Sequence, residues 1–405
     1  MKNWIQDRLF FFKLPSIFLI ITLFWLILHL NLNQRFQFPT GSDQDTYLEA
    51  GKEVVEHGRF IWRAPFYGAW MGLFYFVSGK TLQICFNIEK YFSVLLLGLL
   101  VAFLGFRLFD LRTGLLMGIW ILNCKYFIIE ANGTHAFVGS LFTMSMISLM
   151  LENQYARLPL ALLSLFMAAQ VRIDMWIPFL TFVIITGFFL LKRRIAGRAV
   201  NWAFATQSRP HWLICFTIGV VVSVLFTLRP WSIEPQIRSE AFFNNFAVNY
   251  VERKNLLDRY PRPWAEVPQI LKEALPGTSD TISVIRMYPG EVEAHFLYNL
   301  KLFPRALIAN FLAFDNSLLM LLVFIFYFGS YIVWKRPDDY LEKWKDISIE
   351  VRLQIAASFI AICWIIPMTL AFRVASRYYI PLLPLQLVVT LLMTRVLVNR
   401  LGHQN

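Results

Sequence analysis

The sequence predicts an all-α polytopic membrane protein, with about ten transmembrane helices (range about 9–12) and two long extracytoplasmic loops carrying short interfacial helices. Three observations carry that expectation. The 405 residues are 57% hydrophobic, with a mean hydropathy of +0.54. Only 16% of them are charged, against roughly 25% in a soluble domain. Apolar runs close to the ~20 residues of a bilayer-crossing helix recur along the chain.

Taken in order, the first run is Leu14–Leu30, preceded by Lys2, Arg8 and Lys13. No A-x-A cleavage site follows, so it reads as an uncleaved first helix with a cytoplasmic N-terminus. Further spans are expected at Tyr91–Leu108, Gly114–Ile129, Ala136–Leu151, Leu158–Ala169 and Met175–Leu191. The last four are His211–Leu228, Leu318–Trp334, Leu353–Phe372 and Ile380–Val398. The chain therefore reads as one transmembrane domain over 1–405, with long outer loops at 31–90 and 229–315. In the first loop, Thr46–His57 reads as a short amphipathic helix. Pro65–Val77 is apolar and aromatic but short for a span, and fits an interfacial helix.

The net charge of +12 sits mostly in short runs between apolar segments, such as Lys192, Arg193, Arg194 and Arg198. Alternating the spans places Arg107–Arg112, Arg157, Lys192–Arg209, Lys335–Arg352 and Arg400 on the cytoplasmic side, as the positive-inside rule requires. Both termini then lie in the cytoplasm, in a plasma (inner) membrane. No basic stripe carries a nucleic-acid-binding module, which removes nucleic acid as a partner. Cys85, Cys124, Cys215 and Cys363 form no CxxC pair or metal spacing.

On this topology several polar groups meet at the outer face. The first loop supplies Asp43, Asp45, Arg59, Arg63 and Tyr67. The second supplies Glu130, Asn132 and His135, the third Arg172 and Asp174, and the last Arg373, Arg377 and Tyr378. Each has an ordinary reading: solvated loop acids, a capping histidine, an Arg172–Asp174 ion pair, an Asn-Gly turn. The joint pattern is more telling, because ionisable groups at membrane depth are costly. A carboxylate can serve as general base on a hydroxyl. Guanidinium groups suit a phosphate through paired hydrogen bonds. Base and phosphate clamp together suggest group transfer from a lipid-linked phosphate.

Here the chain resembles the membrane glycosyltransferases of the C-type fold, in particular the protein O-mannosyltransferase and lipid A aminoarabinose transferase group. Asp43-Gln44-Asp45 with Tyr47-Leu48-Glu49-Ala50 resembles that family's acidic motif after the first helix. Arg63-Ala64-Pro65-Phe66-Tyr67 is similar to its Arg-x-Pro-hydrophobic-Tyr stretch, and Arg172-Ile173-Asp174 to its Arg-Pro-Glu segment. His295-Phe296-Leu297-Tyr298-Asn299 looks like a stretch of its large loop. Arg377-Tyr378-Tyr379-Ile380-Pro381-Leu382-Leu383-Pro384 resembles the segment that opens its last helix. The acidic motif here is Asp-x-Asp rather than Asp-Glu, and a sizeable C-terminal soluble domain is lacking.

The resemblance implies inverting transfer from a polyprenyl-phosphate-linked sugar to an acceptor hydroxyl on a lipid, glycan or protein. Asp43 or Asp45 is the expected base. Arg63, Arg172, Arg377 and Tyr378 are expected on the donor phosphate. Arg59, Tyr67, Glu130, His135 and Asp174 are expected to contact substrate. Some relatives use a divalent cation, but no metal ligand set is assigned here. The alternative is a transporter or flippase of a lipid-linked sugar, whose polar groups should lie near the bilayer midplane.

Overall fold

The computed structural model describes residues 43–59, 65–79, 81–109, 111–124, 133–151, 154–172, 175–195, 235–312 and 383–391. Among these residues the chain is helical, and no strand forms.

Two helices precede the main bundle, α1 (Asp43–His57) and α2 (Pro65–Val77). The second has the bounds its aromatic run predicts. The first begins three residues earlier than expected, at Asp43 rather than Thr46. The two pack along each other through glycines. A Cβ at Gly51 would lie 2.8 Å from the Met71 Cβ and 2.9 Å from the Gly72 nitrogen, so the backbones touch where no side chain fits. Tyr47 meets Tyr67 edge to face at 5.0 Å, and the Tyr75 hydroxyl donates to Glu56 Oε1 at 2.8 Å.

The bundle follows as α3 (Leu82–Leu108), α4 (Leu111–Asn123), α5 (Gly133–Ser148), α6 (Gln154–Val171) and α7 (Trp176–Ile195). Sequence order is spatial order for much of it, since α3 packs on α4 and α5, α5 on α6, and α6 on α7. The third helix starts nine residues before the expected Tyr91, so Glu89 and Lys90 belong to it and not to a loop. Its 25-residue stretch Ile84–Leu108, with an 18-residue window of mean hydropathy 2.1, is the one helix among the described residues long and apolar enough to cross a bilayer. Phe66–Val77, Thr113–Leu122, Ala156–Val171 and Pro178–Phe188 are apolar but shorter. The sixth helix, at 18 residues, is longer than the expected Leu158–Ala169.

Apolar side chains face outward in stripes. On α3 they are Ile84, Ile88 and Phe92, and on α7 Leu180, Val183, Ile184 and Phe188. The spacing is that of one helix face. The fifth helix is central: all but Met144 and Ile147 of its 16 residues are buried. Four of its hydroxyls are satisfied within the helix, among them Ser140 donating to Ala136 O at 2.9 Å and Thr143 to Gly139 O at 2.7 Å. Beyond its C-terminal end, Arg107 donates to Met150 O at 3.4 Å and Arg157 to Leu151 O. Cations there complement carbonyls that a helix end leaves without partners.

The second long loop folds into α8 (Pro235–Arg253), α9 (Val267–Ala274), α10 (Thr281–Met287) and α11 (Pro289–Leu312). The eighth helix ends at Arg253, and Asn255, with a φ of 54°, opens the turn in which Leu256 N–H reaches Val251 O at 2.9 Å. An Asp280–Ser283 capping box starts α10. Phe242, Phe246, Ala274, Leu275 and Val284 form a small core of its own. Residues Leu302, Phe303 and Ala306 of α11 pack against the main core, which also takes Leu383, Leu385, Leu387 and Val388 from the helical stretch 383–391. The expected spans Leu14–Leu30, His211–Leu228, Leu318–Trp334 and Leu353–Phe372 lie outside the described residues.

Candidate functional site

The site gathers at the end of the bundle opposite Arg107 and Arg157. The start of α3, the first turn of α5 and the end of α6 meet there, beneath the α1–α2 pair.

Its centre is the Glu89 carboxyl group, fully buried in the third turn of α3. A buried polar group left without hydrogen bonds costs about 1–3 kcal/mol, so donors must converge on it. Oε1 accepts from the Ser93 hydroxyl at 2.7 Å and from the Trp70 indole N–H at 3.1 Å. The Tyr67 hydroxyl lies beside both Glu89 and Thr134. Oε2 has no hydrogen-bond partner among the described residues and rests against Gly133, where α5 begins. A Cβ at Gly133 would fall 1.8 Å from Oε2 and 2.4 Å from Cδ, so only glycine fits. The positive end of the α5 dipole favours an acidic group at that place.

Aromatic rings close the site on the α2 side. Trp70 stacks on Phe137 of α5 with centroids 4.3 Å apart and planes at 18°. Phe66 stacks on the same ring at 5.8 Å, and Tyr67 lies 6.0 Å from it. On the other side, the Arg172 guanidinium just past α6 bonds the His135 imidazole at Nε2. His135 is buried and Arg172 half-buried. Gln170, in the turn before Arg172, is 6% exposed, and neither atom of its amide has a partner among the described residues.

Of the residues expected in the site, the fold brings Tyr67, His135 and Arg172 to one end of the bundle. Asp43 and Asp45 occupy the first turn of α1. Tyr47, one turn beyond Asp43, touches Tyr67, which ties that turn to the same region. On a helix, positions two apart are turned by about 200° around the axis, so one of them at most looks toward any given point. Arg59 lies just past α1, exposed, its N–H bonded to Glu53 O at 3.2 Å. Arg63, Glu130, Asp174, Arg377 and Tyr378 lie outside the described residues, as do Asn132 and Arg373.

Sequence reasoning missed Glu89, Trp70, Ser93, Thr134 and Gln170. The signal for Glu89 was present as an acidic residue eight positions into a helical run, but Gln83, Asn87 and Lys90 beside it made that stretch read as loop. Among the described residues, no three His, Cys, Asp or Glu side chains gather as a metal ion would require.

Within the stretch His295–Asn299, His295 and Asn299 belong with Asn249 to a separate buried polar cluster. The Asn249 amide donates to Asn299 Oδ1 at 2.8 Å and stands 3.3 Å from His295 Nδ1. This cluster joins α8 to α11 and does not reach the Glu89 group through any bond described here. Set beside known protein families, curated proteins and solved structures, the chain matches none of them.

Proposed function

We propose that this is a multi-pass membrane enzyme of about ten spans, transferring a sugar from a polyprenyl phosphate to an acceptor hydroxyl at the extracytoplasmic face. The observation that carries the reading is the convergence of the α1–α2 pair, with its acidic first turn, on the end of the bundle where Arg172 bonds His135. Apolar stripes on α3 and α7 suit lipid. Arg107 and Arg157 together at the opposite end suit a cytoplasmic face under the positive-inside rule.

The reaction follows from those groups. Asp43 or Asp45 takes the proton of the acceptor hydroxyl. The acceptor oxygen forms a bond to the anomeric carbon from the face opposite the phosphate. The bond from that carbon to the phosphate oxygen breaks, and its electron pair leaves with the lipid phosphate. Charge grows on that leaving group, so a fixed guanidinium beside it lowers the barrier. Arg172 is the first candidate for this role, with Arg63 and Arg377 as the further candidates. A half-buried guanidinium acts more strongly than a solvated one, because less water screens it. The aromatic face of α2 suits the first isoprene units of the lipid.

The test is purified protein given synthetic polyprenyl phosphates bearing a labelled hexose or pentose, with membrane lipid, glycan and protein fractions as acceptors. Transfer of label with release of lipid phosphate supports the reading. Tight donor binding with movement across vesicles and no transfer replaces it with a flippase.

A further inference from the structure

We infer that Glu89 is a positioning residue, whose carboxyl group fixes the stand-off between the α1–α2 pair and the His135–Arg172 bond. This role rests on the glycosyl-transfer reading, but its structural half does not.

Three helices meet in that one group. It belongs to α3, it accepts from Trp70 of α2, and it fills the space over Gly133 of α5. Trp70 is held twice, by its N–H on Glu89 and by its ring on Phe137. Its indole therefore has no free rotation, and α2 cannot turn or slide on α5 without breaking one of the two contacts. The second helix carries the first with it, because the Gly51–Gly72 approach leaves no room for relative shift. A movement of α2 is thus a movement of Asp43 and Asp45. Arg172 does not follow, since it is held by His135 on α5. Removing the carboxyl group separates base from phosphate clamp and leaves the clamp intact.

The kinetic signature is a split between turnover and donor binding. Glu89→Gln keeps an Oε1 acceptor for Trp70 and Ser93. Its kcat should fall less than that of Glu89→Ala, because the acceptor for Trp70 and Ser93 is retained. Glu89→Ala should lower kcat by about tenfold or more with donor KM within about twofold, because misplacing a reacting group costs rate and not affinity. A second readout needs no catalysis. Cys85, one turn before Glu89, is fully buried with its thiol donating to Met71 O of α2 at 3.7 Å. Maleimide labelling at Cys85, read by peptide mass spectrometry on the full-length protein, should rise in Glu89→Ala and stay low in Glu89→Gln. Gly133→Ala should also raise it.

Wild-type turnover in a folded Glu89→Ala protein overturns the inference. So does an equal loss of turnover and donor affinity, which marks a purely structural contact. Cys85 labelling as low in a folded Glu89→Ala protein as in the wild type overturns the joint itself. If the wild-type protein transfers no sugar, the enzyme reading falls, and Cys85 protection alone then decides whether Glu89 sets the place of α2.

Discussion

Arg172 bonds His135 across the gap between the end of α6 and the first turn of α5, holding a guanidinium half in and half out of the protein. The imidazole contributes no fixed negative charge when neutral, and it holds the guanidinium at the junction of the two helix ends.

Arg172→Lys keeps the charge and loses the planar fork, so donor affinity should fall by about tenfold, on the order of 1.4 kcal/mol. Arg172→Ala should fall further. Binding of a polyprenyl-phosphate sugar to purified variants measures both, and wild-type affinity in both removes Arg172 from the site.

The two aspartates of α1 should behave differently, because about 200° of helix rotation separates them. Asp43 lies nearer the expected first span, and Asp43→Asn should cut turnover by at least about a hundredfold with donor affinity kept, as loss of a general base does. Asp45→Asn should cost less. The reverse order exchanges their roles, and full activity in both variants takes the base away from α1.

Topology has a direct check. Single cysteines at Ser42 and Ser239 should react with an impermeant thiol reagent in intact cells, and one at Ser208 should not. Labelling of position 208 alone inverts the map and puts the site in the cytoplasm.

Helices α10 and α11 should loosen from α8 in acid. Burial pushes the Glu291 carboxyl up, but the Arg253 guanidinium bonded to it and Lys254 at 3.6 Å outweigh burial and hold it below its usual range. Its stabilising effect is complete above the unfolded value, near 4.3, and is lost as pH falls through the lower folded value. Asp280, lowered chiefly by the Ser283 backbone N–H, acts in the same direction at the start of α10. Amide exchange in α10 and the first turns of α11 should accelerate below about pH 4, and Glu291→Gln should remove much of that dependence. A flat profile in the wild type contradicts the assignment.

Composition and period made the helices legible. The aromatic run Pro65–Val77 has the bounds of α2, and Leu108 ends α3 as expected, because nothing competes with an uninterrupted apolar stretch. The start of α3 was illegible because Gln83, Asn87, Glu89 and Lys90 look solvated in one dimension. Only the fold shows Glu89 and Lys90 turned inward. His135 and Arg172 were legible as polar groups at adjoining helix ends. The Glu89–Trp70–Gly133 joint was not, since its partners are 19 and 44 positions from Glu89 and nothing local marks them as neighbours.

The buried state of α5 bears on how the protein is made. If the chain is inserted as proposed, a segment with only Met144 and Ile147 off the buried face has almost no surface of its own to offer to acyl chains. Its neighbour α3 is synthesised earlier and α6 later, so α5 would leave the translocation machinery against one partner and wait for the other. Ser140, Thr143, Ser145 and Ser148, already bonded to carbonyls of their own helix, would let it wait with those donors satisfied. Chains truncated just before Gln154 should therefore be held by membrane quality control, whereas chains extended past Arg172 should be released as a compact, protease-resistant unit.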